Sequence, residues 1–254
     1  MLIPVRDHNP SGKRAYVTYA LLATNILIFI SYYGLFANEA ALMRLFMGWG
    51  MVPAVLSSGT GYDTLLTHQF LHGGIMHLAF NMLFLWIYGD NMEEEWGHLP
   101  FLAFYLACGV AAGLTQYMFE PNSFVPMVGA SGAIAGVLGG YLLFYPRARI
   151  DMFLFLLIYF RIIPIPAWLV LGGWFGMQVF AGLGPTASDD GVAYWAHIGG
   201  FVAGVIFALP LWLRRGGRNL WAQNHGHPPH PEAQYTLIKT DIPAAGRRRN
   251  PWLR

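Results

Sequence analysis

Charge is what this sequence has least of. Only 11 % of its 254 residues are Asp, Glu, Lys or Arg, against roughly 25 % in a soluble domain. With hydrophobic residues at 56 % and a mean hydropathy of +0.43, the chain reads as a polytopic membrane protein and not as a water-soluble enzyme. Cysteine is nearly absent as well. The single Cys108 excludes an intrachain disulfide and a Cys-based metal site. The zinc-protease pattern H-E-x-x-H is missing, although His68, His72 and His77 lie close in sequence. No carboxylate shares the depth of these histidines, so a metal is not expected, and His68 and His72 read as holding the loop they occupy. The net charge of +2 says little by itself. No cofactor and no nucleic-acid partner are implied; the expected surroundings are a lipid bilayer.

The apolar runs predict an all-α membrane protein with six spans. Residues 1–14 are polar and end in Lys13-Arg14. The run 15–36 is too long for a signal-peptide core and no small-residue cleavage site follows it, so it is the first span. The connection 38–67 holds apolar pieces too short to cross, which suit a re-entrant or interfacial segment. The second span is 74–88, closed by Gly89-Asp90 and the acidic Glu93-Glu94-Glu95, which reads as capping or ordering the inner loop. The third is 99–118. The fourth, 131–145, is short against the ~20 residues of an ordinary crossing. The fifth is 165–181, with 152–160 as an interfacial stretch before it, and the sixth is 194–213. From 214 on the chain is rich in Gly, Pro, His and Arg and reads as a disordered, solvated basic tail that takes in His225, His227 and His230. The organisation is then residues 1–14, a helical domain over 15–213, and the tail 214–254.

Basic residues test that count. With the N-terminus inside, Arg6, Lys13, Arg14, Arg147, Arg149, Arg161, Arg214, Arg215 and Arg218 fall on one side and only Arg44 on the other. This obeys the positive-inside rule and puts both termini in the cytoplasm. A seventh span over 152–160 would send the Arg214 cluster outside.

Bulk is missing from 127–141. Gly132, Gly136 and Gly140 recur every four residues, as do Ser131, Ala135 and Gly139, so a neighbouring helix can approach at backbone distance. Ser131 stands at the start of this helix, where backbone N–H groups are unpaired and the dipole is positive. Taken alone the stretch leaves two readings open: a packing helix whose serine bonds its own backbone, or a nucleophile placed where an oxyanion would find donors.

Depth favours the second. The second, fourth and sixth spans run from outside to inside. At 1.5 Å per residue, His77 and Asn81 in the first turns of the second span, Ser131 in the fourth and His197 in the sixth all fall within roughly the outer third of the membrane. His77 and Asn81 are four apart and share a stripe. Ala196, Gly200 and Gly204 form a small-residue ridge beside His197 that can pack on Gly132, Gly136 and Gly140. An imidazole brought to Ser131 in this way would act as its base. The plain alternative is that Asn81 is interhelical glue and His197 a packing histidine.

Together these residues resemble the rhomboid family of intramembrane serine proteases. The matching pieces are F-L-H-G-G-I-M-H-L-A-F-N-M at 70–82, then Gly89, Glu93 and Gly97, then Gly129-Ala130-Ser131-Gly132, then A-H-I-G-G-F-V-A-G at 196–204. They cover about residues 65–210 in order. G-A-S-G alone is weak; with H-x-x-x-N and A-H-x-x-G-x-x-x-G it is specific.

The resemblance implies a six-helix bundle with a water-filled cavity open to the outer face and a membrane-embedded first loop. It implies Ser131 as nucleophile, His197 as base, and Asn81 and His77 stabilising the oxyanion. Gly129, Gly132, Gly136, Gly200, Gly204, Glu93 and His72 would serve packing and structure. The segment 182–194 would be a mobile cap. Single-span membrane proteins would be substrates, and a bacterial inner membrane is the expected location. One departure stands out. Many relatives carry an aromatic ring one turn after the serine, stacked on the histidine, and here that position is Ala135. Another ring, such as Trp195 or Phe201, would take its place, or the histidine is held more loosely. Two further readings compete with the protease: a rhomboid-like protein that binds membrane helices without cutting them, and a small transporter. The transporter would need charged groups within the spans, and none are visible.

Overall fold

The structure is a computed structural model and describes residues 2–156, 159–184 and 191–233. Helix α1 (Tyr16–Tyr32) continues through a 3-10 segment, Tyr33–Ala37. The first connection folds into α2 (Glu39–Trp49), α3 (Pro53–Ser57) and α4 (Thr64–Thr67). Then come α5 (Ile75–Trp96), α6 (His98–Phe119), α7 (Ser131–Phe144), α8 (Ala167–Gly182), α9 (Tyr194–Arg214) and α10 (Arg218–Asn224). By length and apolarity α6, α9 and α1 with its extension can each cross a membrane. A fourth candidate is the pair formed by Thr64–Phe70 and α5, bent by 96° at the break. Helices α7 and α8 are apolar but shorter.

Helix α7 is the axis of the bundle, with eleven of its fourteen residues buried. Its missing side chains explain how it can be so enclosed. A Cβ added at Gly132 or Gly136 would lie 2.5 or 2.4 Å from the Cβ of Ala112 or Cys108 on α6. From the other side, a Cβ at Gly200 or Gly204 of α9 would lie 2.1 or 2.0 Å from the carbonyl oxygen of Gly132 or Gly136. The two ridges thus meet as backbone against backbone, which only glycine allows. Gly140 is turned elsewhere, toward Met92 and Phe104.

Helix α5 runs through Gly89-Asp90, where the sequence suggested an end, and stops at Trp96 before Gly97 at φ +78°. Gly89 is a point of close approach and not a breaker: a Cβ there would meet Thr18 of α1 at 2.9 Å. One turn on, Glu93 is buried and caps the start of α1. Its carboxylate accepts from the backbone N–H groups of Val17 and Thr18 at 2.9 and 2.7 Å and from the Thr18 hydroxyl at 2.7 Å. This satisfies donors that a helix start leaves open and sets a negative charge at its positive end.

The expectation of an all-helical chain is corrected at one end of the bundle. Strands β1 (Leu2–Asp7), β2 (Arg149–Leu156) and β3 (Tyr159–Pro166) form an antiparallel sheet in the order β1-β2-β3. Of the stretch 152–160, read as interfacial, residues 152–156 and 159–160 therefore belong to the paired strands β2 and β3, and 157–158 lie outside the described residues. Phe and Tyr residues in these strands favour extended backbone, and Pro164 and Pro166 suit the edge strand they occupy. Pro4 stands at a register irregularity in β1, where its missing N–H breaks the ladder.

The start of the tail is ordered as well, against expectation. The Trp221 indole donates to the Leu143 carbonyl at 3.0 Å, and Arg147 N–H to the Gly226 carbonyl at 3.0 Å. His230 pairs with Glu94 at 2.8 Å, and Ala233 N–H donates to the His8 carbonyl at 2.8 Å. Buried aromatic surface and carbonyl acceptors, which composition does not reveal, hold this segment. Residues 234–254 lie outside the described residues. The segments before α1, between α7 and α8, and after α9 consequently share one end of the bundle.

Asp7 ties β1 to this end. It is 1 % exposed and accepts from the Tyr141 hydroxyl at 2.5 Å, the Asn91 amide at 2.6 Å and Asn9 N–H at 2.9 Å. Burial pushes its carboxyl up to about 7 despite these bonds. An acid whose pKa is raised on folding stabilises most below its unfolded value and loses that contribution as pH climbs through the folded one. Asp7→Asn cannot ionise. Across about pH 4 to 7 the wild type should therefore lose stability relative to Asp7→Asn, by ~1.4 kcal/mol per pH unit at the steepest. Thermal unfolding of both proteins in detergent at several pH values checks this; a pH-independent difference would contradict it.

Candidate active site

Ser131 is the first residue of α7, and its approach is fixed by the long first connection. Met51 and Met127 exchange both backbone hydrogen bonds, at 3.0 and 2.8 Å. Gly129 N–H donates to the His68 carbonyl at 2.9 Å. His68 in turn is held by a 2.7 Å bond between Nδ1 and the Thr64 carbonyl. Gly129 has φ +135°, and a Cβ on it would lie 2.8 Å from His77 Nε2. Only glycine lets the chain pass beside the His77 ring at that conformation. Ser131, Gly132 and Ala133 open the helix, so their backbone N–H groups lack intrahelical partners.

The Gly–Gly packing of α7 on α9 places His197, in the first turn of α9, against this serine. His197 Nε2 lies 2.8 Å from Ser131 Oγ. The other ring nitrogen, Nδ1, lies 2.7 Å from Gln178 Oε1 on α8. His77 and Asn81 stand opposite on α5. His77 Nδ1 accepts from Gly73 N–H at 3.3 Å, so a neutral ring carries its proton on Nε2, the atom nearest Gly129. The Asn81 amide donates to the His77 carbonyl at 3.0 Å and keeps a second N–H. Ser131, His197, His77, Asn81 and Trp174 all line one cavity of about 490 Å³.

The remaining sequence candidates take structural places. Tyr32 OH donates to the His72 carbonyl and accepts from His72 N–H, at 2.9 and 2.7 Å, which anchors the loop before α5 to α1. The His72 and His77 rings meet edge to face at 5.2 Å. Among the described residues no cluster of His, Cys, Asp or Glu has an arrangement able to hold a metal ion. Of the expected cap, Gly191, Val192 and Ala193 line the cavity, whereas 185–190 lie outside the described residues.

The ring beside the histidine is neither of those suggested by the sequence. Trp195 stacks on Phe119 at 3.6 Å, and Phe201 stacks on Phe175 at 4.6 Å. Trp174 of α8 is the ring that meets His197, with centroids 5.8 Å apart and planes tilted by 41°. Sequence reasoning missed Trp174 and Gln178 together, although Gln178 is a lone amide in an apolar helix and such residues default to functional candidates.

Residues 60–214 match the Rhomboid domain. The chain belongs to the rhomboid family. Among its relatives are the rhomboid protease GluP of Bacillus subtilis, 34 % identical over 209 residues that make up 82 % of this chain and 37 % of GluP. RHOMBOID-like protein 4 of Arabidopsis thaliana is 34 % identical over 66 % of this chain and 38 % of its own length. Rhomboid protein 1, mitochondrial, of Saccharomyces cerevisiae is 26 % identical over 75 % of this chain and 52 % of its own. The chain spans about a third to a half of these relatives. Family membership and the apolar helices make this rhomboid an integral membrane protein. The matched stretch contains His77, Asn81, Ser131, Gln178 and His197, while β1 and α10 lie beyond it.

Proposed function

We propose that this rhomboid is an intramembrane serine endopeptidase with Ser131 as nucleophile and His197 as general base. The observation that carries the reading is the 2.8 Å contact between Ser131 Oγ and His197 Nε2 in the lining of a cavity. The relative named a rhomboid protease, 34 % identical, supports it.

In this mechanism His197 Nε2 takes the hydroxyl proton as Ser131 Oγ attacks the scissile carbonyl carbon. The carbonyl oxygen gains the negative charge, and its donors are the Ser131 backbone N–H, the free N–H of Asn81 and His77 Nε2–H. The imidazolium then gives its proton to the departing amine, leaving an ester on Ser131. Water, deprotonated by His197, attacks that ester, and the imidazolium returns the proton to the departing Ser131 Oγ as the carboxylic acid is released. Helices α1, α5, α6, α7, α8 and α9 are the six spans, and the connection holding α2 to α4 is embedded beside them. The substrates are membrane proteins, single-span ones first, because the cavity is lined by residues of the apolar helices α5, α7, α8 and α9. The end bearing the sheet and α10 carries most of the basic residues and faces the cytoplasm, in a bacterial inner membrane.

Purified protein should cleave members of a panel of single-span substrates and should be labelled by a fluorophosphonate probe at Ser131. On a Cys108→Ser background, cysteines at Ser11 and Gln223 should resist an impermeant reagent applied from outside, and one at Thr60 should react. Cleavage blocked by chelators but not by the probe would defeat the serine reading. Outside labelling at Gln223 would defeat the six-span arrangement.

A further inference from the structure

Helix α8 presents sixteen residues, AWLVLGGWFGMQVFAG, in which Gln178 is the one amide and no residue is charged. The helix is loosely held: Met177 and Phe180 on either side of Gln178 are exposed, and open space surrounds Gly172, Gly173 and Gly176. A polar side chain on such a helix is costly in a membrane unless it has a partner. Its partner is the imidazole, 2.7 Å away at Nδ1. Trp174, one turn earlier on the same stripe, touches the same ring.

The two nitrogens of His197 constrain each other. To receive the Ser131 proton, Nε2 must be bare, so a neutral ring must carry its proton on Nδ1. That proton needs an acceptor, since a buried N–H without one costs about 1–3 kcal/mol. With its carbonyl toward the ring, Gln178 accepts this proton and selects the productive tautomer. With its NH₂ toward the ring it would donate to Nδ1, force the proton onto Nε2 and turn the Ser131 contact into a bond that cannot activate the serine. The carbonyl-inward orientation is also the one that strengthens when the imidazolium forms, because the bond becomes charge-assisted.

We propose that Gln178 is a positioning residue for His197, an uncharged third member that fixes the tautomer and orientation of the base, with Trp174 bracing the ring from the same helix. This rests on the reading of Ser131 and His197 as nucleophile and base. An amide does the orienting work of a carboxylate without leaving a charge to be buried in the membrane.

The test compares Gln178→Met with Gln178→Glu in the full-length protein in liposomes. Methionine keeps length and shape but lacks a strong acceptor. Glutamate, ionised or protonated, keeps an oxygen for Nδ1–H. Gln178→Met should lower kcat and the rate of fluorophosphonate labelling of Ser131 by about 10–10²-fold, short of the ~10⁴-fold cost of a wrong tautomer at a charged orienter. KM should hold, because Gln178 is placed behind the histidine, and thermal stability should not fall, because the helix becomes more apolar. Gln178→Glu should recover most of the lost rate. Wild-type labelling in Gln178→Met, or equal loss in both variants together with a lowered melting temperature, overturns the positioning role and leaves the serine mechanism standing. A wild type that cleaves substrate but is not labelled at Ser131, with Ser131→Ala still active, overturns the serine mechanism and this inference with it.

Discussion

Purified Ser131→Ala and His197→Ala should each lose substrate cleavage to background, and the double variant should be no worse than either. On the proposed mechanism the two groups act as one device across a 2.8 Å contact, so removing either member removes the whole of the proton transfer and attack. Asn81→Ala should differ in kind. On the same mechanism it takes away one oxyanion donor among several, a loss of about 10²–10³-fold in turnover at most, and the Ser131 backbone N–H and His77 remain. Fluorophosphonate should still label the Asn81 variant, slowly, and Ser131→Ala not at all. All three variants should fold, since each side chain borders the cavity and not the closely packed α7–α9 seam. Graded, additive losses in the Ser131 and His197 variants would mean that the serine and histidine do not work together.

Gly204→Val should be nearly as damaging without touching the chemistry. A Cβ there would lie 2.0 Å from the Gly136 carbonyl oxygen. Backbone cannot swing aside as a side-chain tip can, so α9 has to move off α7. Overpacking of this kind costs typically 1–3 kcal/mol and sometimes more. The displacement also reaches the site, because the same seam holds Ser131 within 2.8 Å of His197 and a hydrogen bond is lost beyond about 3.5 Å. A drop in melting temperature and at least ~10²-fold lower activity are expected, the latter on the scale of a misplaced reacting group. Gly172→Ala and Gly176→Ala, whose Cβ atoms would meet nothing within 4 Å, are the controls and should be neutral or slightly stabilising. If Gly204→Val behaves like those controls, the close packing of α7 on α9 is not what aligns the site.

That Ser131, His197, His77 and Asn81 would meet around one cavity was legible in the sequence because each combines an unusual residue type with a spacing that has a physical meaning. The glycine ridges were readable for the same reason: periodicity at four residues survives in one dimension. The sheet was not. The run from Ile150 to Pro166 is apolar almost throughout, and a short continuous apolar run does not distinguish strand from helix. Its pairing partner, β1, lies some 150 residues away in sequence. Trp174 and Gln178 are a different case. Spacing put them on one stripe, but nothing local tells which neighbour that stripe faces. The order after Arg214 was hidden for a further reason. Gly, Pro and His mark a segment that cannot build its own core, yet Trp212 and Trp221 meet at 4.9 Å and dock the segment on helices already there.

The three-stranded sheet also sets a timetable. Strand β1 is made well before its hydrogen-bonding partner β2, which appears only after α7 has been made. At a synthesis rate of ~5–20 residues per second, β1 waits for a time on the order of ten seconds with its backbone unpaired. Asp7 waits with it, since Tyr141 and Asn91 are also still to come or only just made. The end of the molecule that bears the sheet can therefore close only as a late event, after the helices that carry Ser131, Asn81 and His77 are already in place. A nascent chain halted before residue 149 should show β1 open to proteolysis, and one halted well beyond residue 166 should show it shielded.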